Sequence, residues 1–195
     1  MRTADDFVGD PTSGNTTDID IAAPPSVVWQ ALDQLRPRDL RVTPVLMGIR
    51  SLPALLLRRG SLRSSRATAD RPLLESMRSS RFFELYRQPE SILTLGIVGQ
   101  FWKLDGGEDA NVRTPQEFVA FDRSGFVVSA IDFQLQPHAT GTRVTTRTCN
   151  RATDEATERR FRRYWLLIGA GSKAIRFDLL RAVRRRAEAA HHAAA

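Results

Sequence analysis

Few residues of this chain could act as an acid or a base. Glu84 and Asp132 lie among apolar residues in strand-like segments, where burial would raise the pKa of a carboxyl group. Alternation puts Asp132 on the side of its strand opposite Ile131 and Phe133, which favours solvent or an arginine as its partner. Glu84 stands between aromatic residues two positions away on either side, so its direction stays open. No catalytic residue is assigned, and these two carboxylates are the candidates.

Histidine, cysteine and metal chemistry find little support. His138 is the one histidine before the tail and lies in a predicted turn, so a Ser-His-Asp arrangement has no base. Cys149 is the single cysteine, which rules out an internal disulfide and predicts a reducing, cytoplasmic compartment. His191 and His192 have no third ligand nearby in sequence, so we expect no metal site and no cofactor.

Side chains suited to line an apolar cavity are more numerous. In the last predicted strand, threonines alternate with arginines, and because long charged side chains prefer water the threonine face should point inward. Buried hydroxyls among aromatic rings need partners, which water or a polar ligand group could supply. For any single aromatic residue, simple core packing is the alternative. The predicted ligand contacts are Tyr86, Trp102, Ser129, Ile131, Phe133, Thr146, Thr148, Phe161, Trp165 and Ile168.

The elements that must position these residues follow from periodicity. Strand-like segments cover residues 16–22, 82–86, 92–103, 117–121, 126–136 and 142–150. Helical spacing covers residues 27–35, and a long amphipathic helix begins near Asp154. Short connections between the strands indicate an antiparallel meander. The pattern predicts an α+β fold in which a curled antiparallel sheet of six to seven strands wraps on the C-terminal helix and leaves a cavity beneath it.

The remaining segments set the expected boundaries. Residues 42–57 are apolar but interrupted by prolines, which predicts two short helical pieces too short to cross a bilayer. A further helix begins at Pro72. We expect a disordered arm over residues 1–15, one domain over residues 16–189 and a fraying tail over residues 190–195. Leu166 and Leu167 fall off the inward helix face, where they would cover the apolar segment or form a homodimer contact.

Composition and charge limit the class of protein. The chain has 195 residues, 42% of them hydrophobic, which excludes a disordered chain and predicts one domain. Its net charge is +7, and two blocks carry it: +8 over residues 36–88 and +6 over residues 151–195. Such blocks could bind anionic lipid or phosphate backbones. Solvated arginine faces are the simpler interpretation, and we expect no nucleic-acid partner because aromatic stacking platforms are not interleaved with the arginines.

Four segments carry a resemblance to a known family. Residues 19–35 (IDIAAPPSVVWQALDQL), 99–102 (GQFW), 142–148 (TRVTTRT) and 159–165 (RRFRRYW) together resemble the START / polyketide cyclase superfamily, also called SRPBCC or helix-grip proteins. The resemblance covers residues 16–188 and implies the helix-grip fold. Members bind lipids, sterols, polyketides or hormones, and some catalyse cyclisation or dehydration. This chain departs from the pattern at Arg147, where many relatives have a carboxylate, and in its long stretch between the first helix and Phe82.

Three functions are expected from these observations. The first is enclosure of a mainly apolar small molecule, such as a lipid, sterol or polyketide-like compound, in a preformed cavity. The second is a cyclase or dehydratase that works without metal, which needs an ionisable group inside the cavity. The third is a basic surface module for anionic membranes or nucleic acid, without integral membrane contact. Fold alone does not choose among them.

Overall fold

Five antiparallel strands form one sheet in a computed structural model that describes residues 2–43, 71–79, 81–103 and 107–194, with the side chains of residues 78, 79 and 167 left out. The order across the sheet is β1-β5-β4-β3-β2, so the sheet is not closed. The strands are β1 (Ser13–Ile21), β2 (Phe83–Gln88), β3 (Ile92–Gly99), β4 (Val127–His138) and β5 (Gly141–Ala152). The helices are α1 (Ala4–Val8), α2 (Pro25–Asp33), α3 (Leu73–Ser79), α4 (Pro115–Val119) and α5 (Glu155–Ala194), with a 3-10 turn at Pro37–Asp39.

The predicted α+β class, with an antiparallel sheet and a long last helix, is confirmed, but the strand count of six to seven is wrong. Residues 117–121, predicted as a strand, belong to α4 and the turn after it. Thr114 Oγ1 accepts a hydrogen bond from the Glu117 backbone N–H at 3.2 Å, and the Glu117 carboxylate accepts one from the Thr114 N–H at 3.1 Å. With Pro115 at the first position, this capping box starts a helix where alternation alone indicated a strand.

β3 also ends earlier than predicted. The strand ends at Gly99 rather than at residue 103, and Phe101 and Trp102 lie in the turn that follows. At this turn the Gln100 side chain donates a hydrogen bond to the Gly125 carbonyl at 3.0 Å. The turn therefore joins the end of β3 to the loop before β4.

The inner face of the sheet, defined as the face toward α5, carries the larger core. Residues of α2 and of the C-terminal half of α5 pack there against β3, β4 and β5. Asp154 precedes α5 and accepts hydrogen bonds from the Thr157 hydroxyl and backbone N–H at 2.7 and 2.8 Å. These bonds hold the pKa of Asp154 down to about 2. The helix start is thus fixed by a charged cap.

The outer face is buried as well, under α1 and α4. Phe7 and Val8 are each 2% exposed and lie in a cluster with Phe118 of α4. At Gly96 a Cβ would come within 2.9 Å of the Phe118 ring, so the glycine lets α4 approach β3 closely. We call this group of buried apolar residues the outer cluster. The structure has residues 4–8 as a helix against the sheet, whereas the sequence predicted a disordered arm over residues 1–15.

Several sequence predictions fall on other parts of the chain. Most of the apolar segment over residues 42–57 lies outside the described residues. Residues 190–194 continue α5 as helix, within the tail predicted to fray. Leu166 is 80% exposed, so it lies off the inward helix face as predicted. Across the part of the chain that the structure describes, no helix has the length and apolar character needed to cross a membrane.

Asp178 of α5 ties the helix to residues 41–43. Its carboxylate accepts hydrogen bonds from the backbone N–H groups of Arg41, Val42 and Thr43 at 2.8–3.1 Å. Burial alone would raise the pKa of Asp178, but these bonds, together with the Thr43 hydroxyl, hold it below its ordinary value. One carboxylate therefore satisfies three consecutive backbone donors.

We expect Asp178→Ala to lower the free energy of unfolding by about 1–2 kcal/mol, because three backbone donors lose a charged acceptor but can be rehydrated near the surface. Urea denaturation of the two proteins measures this difference. Asp178→Asn keeps one oxygen and should lose less than the alanine variant. Equal stability of all three proteins would contradict the assigned role.

Candidate functional site

A cavity of about 250 Å³ lies between the inner face of the sheet and the first half of α5. Strands β3, β4 and β5 form one wall, α5 forms the other, and α3 contributes at one end. Its lining residues are Met77, Phe82, Ile97, Phe101, Ser129, Ile131, Thr148, Asn150, Phe161, Tyr164, Trp165, Ile168 and Ser172.

Aromatic rings form the helix side of this cavity. Phe161 is 2% exposed and is central among them. Its ring centroid lies 5.6 Å from that of Trp165, 6.0 Å from that of Tyr164 and 6.2 Å from that of Phe101, all in tilted arrangements. Such rings supply large apolar contact area with little loss of side-chain freedom. This wall suits an apolar molecule.

The strand side of the cavity carries hydroxyl and amide groups. Ser129 and Asn150 are register partners on β4 and β5, and the Ser129 hydroxyl donates to Asn150 Oδ1 at 2.7 Å. Thr148 precedes Asn150 on the same face of β5. Ser172 faces them from α5 and accepts a hydrogen bond from Arg176 at 3.2 Å. The cavity therefore has one polar wall that could orient a ligand.

Six of the ten predicted ligand contacts line the cavity: Ser129, Ile131, Thr148, Phe161, Trp165 and Ile168. Phe133 and Thr146 point to the same face but are fully buried, at 0% exposure, beside the cavity rather than in its wall. Tyr86 packs against the outer cluster, and Trp102 lies in the turn after β3. The alternation of the two strands thus placed the inward residues of β4 and β5 correctly.

A β-bulge explains why Tyr86 was misplaced. Glu84 pairs with Leu95 and Tyr86 pairs with Thr94, so the register shifts by one residue between them. Two residues that simple alternation puts on one face therefore lie on opposite faces. Tyr86 donates its hydroxyl to Gln88 at 3.2 Å instead of facing the cavity.

Seven lining residues were not among the predicted contacts: Met77, Phe82, Ile97, Phe101, Asn150, Tyr164 and Ser172. A signal existed for three of them. Asn150 continues the inward threonine face of β5, and Tyr164 and Ser172 lie on the inward face of the helical pattern. Phe101 takes the place expected for Trp102, because the strand ends two residues before it.

Alternation predicted that Asp132 points away from the cavity, and the structure agrees. The side chain does not face solvent, however. It is 0% exposed under α1, where the Ala4 backbone N–H donates to its carboxylate at 2.8 Å. The Gln134 side chain and the Arg147 backbone N–H donate to its other oxygen at 3.2 Å each. Burial raises the pKa of Asp132 despite these bonds. The carboxyl group anchors α1 and has no route to a ligand in the cavity.

Glu84 is the second carboxylate candidate, and it is held by an ion pair. Its carboxylate accepts from Arg87 Nε at 2.9 Å, and the same guanidinium reaches Asp33 of α2 at 3.1 Å. Arg87 also lies over the Trp29 ring, 5.3 Å from its centroid. This network joins β2 to α2 and does not line the cavity.

Cys149 belongs to the outer face. Its thiol donates to Asp5 at 2.8 Å, and Asp5 also pairs with the Arg147 guanidinium. Burial and the Asp5 carboxylate raise the pKa of Cys149 to about 12, so the thiol stays protonated and unreactive at neutral pH. Arg151 donates to the Val8 carbonyl at 2.9 Å. Arginines expected to face water therefore fasten α1 to the sheet.

Arg176 is the buried cation nearest the cavity. Its residue exposure is 2%, and its guanidinium donates to Ser172 Oγ and, at 3.0 Å, to the Asn15 carbonyl. Burial lowers the pKa of Arg176 to about 10, which leaves it charged at neutral pH. Among the described residues, no carboxylate pairs with it.

Within the described ranges, no three histidine, cysteine or acidic side chains lie close enough together to hold a metal ion.

Comparisons with known proteins give no assignment. No family profile matches the chain, and no curated protein matches it. Among solved structures, protein MLL2253 from Mesorhizobium loti is 13% identical, with 89% of this chain and 96% of that chain covered and a TM-score of 0.41. Protein NE0264 from Nitrosomonas europaea is also 13% identical, with coverages of 90% and 94% and a TM-score of 0.43. At these identities and TM-scores the similarities identify neither a family nor a function.

Proposed function

We propose that the protein binds a mainly apolar small molecule in the cavity between the inner sheet face and α5. The observation that carries this proposal is the lining itself: aromatic and aliphatic side chains on most sides and a short polar wall at Ser129 and Asn150. Preformed cavities of this composition are the usual sites of small-molecule binding. Binding then proceeds by removal of apolar ligand surface from water, with the hydroxyl and amide groups fixing orientation.

The size of the cavity limits the ligand. A cavity of about 150 Å³ accommodates benzene, so the 250 Å³ found here corresponds to a buried ligand portion of about ten heavy atoms. A small aromatic compound or the end of a lipid or polyketide-like chain fits this volume. A sterol would enter with only part of its skeleton.

We also infer that the fold is of the helix-grip type, as the resemblance to the START / polyketide cyclase superfamily implies. Three observations support this inference: the strand and helix that begin the domain, the antiparallel meander, and the long last helix packed on the inner face. The curl of the sheet and the single-domain boundaries at residues 16–189 remain predictions.

A binding role is favoured over a cyclase or dehydratase role by the position of the two candidate carboxylates. Asp132 lies under α1 and Glu84 lies in an ion pair, so neither reaches the lining. Among the described lining residues, the phenol of Tyr164 is the one titratable group. General acid–base catalysis needs a positioned group with a pKa near the working pH.

Filling the cavity tests the proposed function. Isothermal titration calorimetry with octan-1-ol and naphthalene, two uncharged probes, should detect binding with a negative heat-capacity change. Ile168→Trp places an indole ring in the lining and should weaken binding of both probes at least about tenfold. Leu166→Trp adds the same ring at an 80% exposed position of the same helix and serves as the matched control. No heat with either probe, or equal binding by both variants, would refute the proposal.

A further inference from the structure

We propose that the ligand of this cavity is an amphipathic carboxylate, bound with its acid group at Ser172 in the field of Arg176. The inference rests on the proposed function and adds the chemical class of the ligand. Its starting point is the charge of Arg176, which is buried to 2% exposure and has no acidic partner among the described residues.

Two hydrogen bonds connect the guanidinium to groups at the cavity. It donates to Ser172, whose side chain lines the cavity, and to the carbonyl of Asn15, whose register partner Thr148 also lines it. Both acceptors are neutral. Neutral acceptors compensate a buried charge only in part, so an anion near this position would be stabilised more than a neutral group.

A second, independent observation points to the same place. Asn15 Oδ1, Thr17 Oγ1 and Thr146 Oγ1 are buried without a hydrogen-bond partner in the described structure. Asn15 and Thr17 lie on the same face of β1, and Thr17 pairs in register with Thr146 on β5. Buried polar atoms without partners are uncommon in proteins. One of the three residues, Asn15, also supplies the carbonyl that accepts from Arg176, and its register partner Thr148 lines the cavity.

The hydroxyl of Ser172 can connect Arg176 to a ligand by hydrogen bonds, accepting from one and donating to the other. Because its oxygen accepts from Arg176, its proton is available to a group inside the cavity. A ligand carboxylate at this point would accept from Ser172 and from the Thr148 hydroxyl, while its apolar part lies along Phe161, Trp165 and Ile168. One cation and two hydroxyls match a singly charged carboxylate better than a phosphate, which requires more donors.

A matched pair of probes tests this assignment at about pH 7. Octanoate and octan-1-ol differ only at the head group, and each matches the volume of the cavity. We expect octanoate to bind at least about tenfold tighter than octan-1-ol, the ratio that one hydrogen bond to a charged group supplies. Titration calorimetry of both probes measures it.

Variants locate the preference. In Arg176→Met the ratio between the probes should fall below about twofold while octan-1-ol binding persists. Arg162→Met removes an exposed arginine of the same helix and should leave the ratio unchanged. Ser172→Ala should reduce the ratio in part, and it tests the connection through Ser172 even where the methionine variant fails to fold.

The outcomes separate the two proposals. Equal affinity of octanoate and octan-1-ol for the unmodified protein overturns the carboxylate assignment and leaves the cavity proposal standing. A preference for octanoate that survives Arg176→Met and Ser172→Ala also overturns the assignment. If neither octanoate nor octan-1-ol binds, both proposals are overturned together.

Discussion

Phe7→Ala should lower the free energy of unfolding by about 3–5 kcal/mol, although the residue lies in a short acidic segment before the first strand. Phe7 is 2% exposed and belongs to the outer cluster that covers β3, β4 and β5. Removing the ring leaves a cavity between α1 and the sheet, and the cost of that cavity adds to the lost transfer free energy of the ring. Guanidinium denaturation followed by far-UV circular dichroism measures the loss.

Phe177→Ala provides the matched control for that measurement. Phe177 is 39% exposed on α5, and its ring contacts Arg181 at 4.2 Å from the centroid. An exposed cation–π contact contributes about 0.5–1 kcal/mol, so the control should lose far less than Phe7→Ala. A loss of stability in Phe7→Ala as small as the loss expected for the control would show that α1 adds little. The disordered arm predicted from the sequence would then describe the protein in solution.

The sequence predicts the inward face of the sheet well and the outer face poorly, for a physical reason. On β5, arginines and threonines alternate, and the costs of burying them differ enough to decide which side meets α5. The partner of the arginine side is not encoded locally. Asp5 and the Val8 carbonyl meet Arg147 and Arg151 across more than 140 residues of chain. Composition near the N-terminus gives little sign of that docking.

Two local features of the strands account for the other differences between the sequence predictions and the structure. One extra residue at the bulge between Glu84 and Tyr86 reverses the face of everything after it in β2. Ending β3 at Gly99 moves Trp102 out of the site and brings Phe101 in. Both events depend on partner strands and turns that periodicity within one segment does not describe.

Asp132 and Arg176 are buried charged groups on opposite sides of the sheet. On the outer face, Asp132 is surrounded by donors from α1, β4 and β5, so its hydrogen bonds hold the fold together. On the inner face, Arg176 has neutral acceptors, and three side-chain oxygens of β1 and β5 have no partner in the described structure. The hydrogen bonds of Asp132 stabilise the fold, and the neutral partners of Arg176 are the reason for the proposed carboxylate ligand.

Asp132→Ala is the second large effect that we expect, a loss of about 2–4 kcal/mol. The change leaves three buried donors without an acceptor: the backbone N–H groups of Ala4 and Arg147 and the Gln134 side chain. Asp18→Ala removes an exposed aspartate from the same face of the sheet and should change stability little. Urea denaturation of the three proteins at about pH 7 gives the difference.

The pH dependence of that difference tests whether burial or hydrogen bonding dominates at Asp132. Burial raises its pKa in the folded protein above the ordinary 3.8, so folding favours the protonated group and its contribution to stability is greatest at low pH. The advantage of the unmodified protein over Asp132→Ala should therefore grow as the pH falls from about 7 toward about 4. An advantage that shrinks on acidification would mean that the three donors outweigh burial and hold this carboxylate ionised beneath α1.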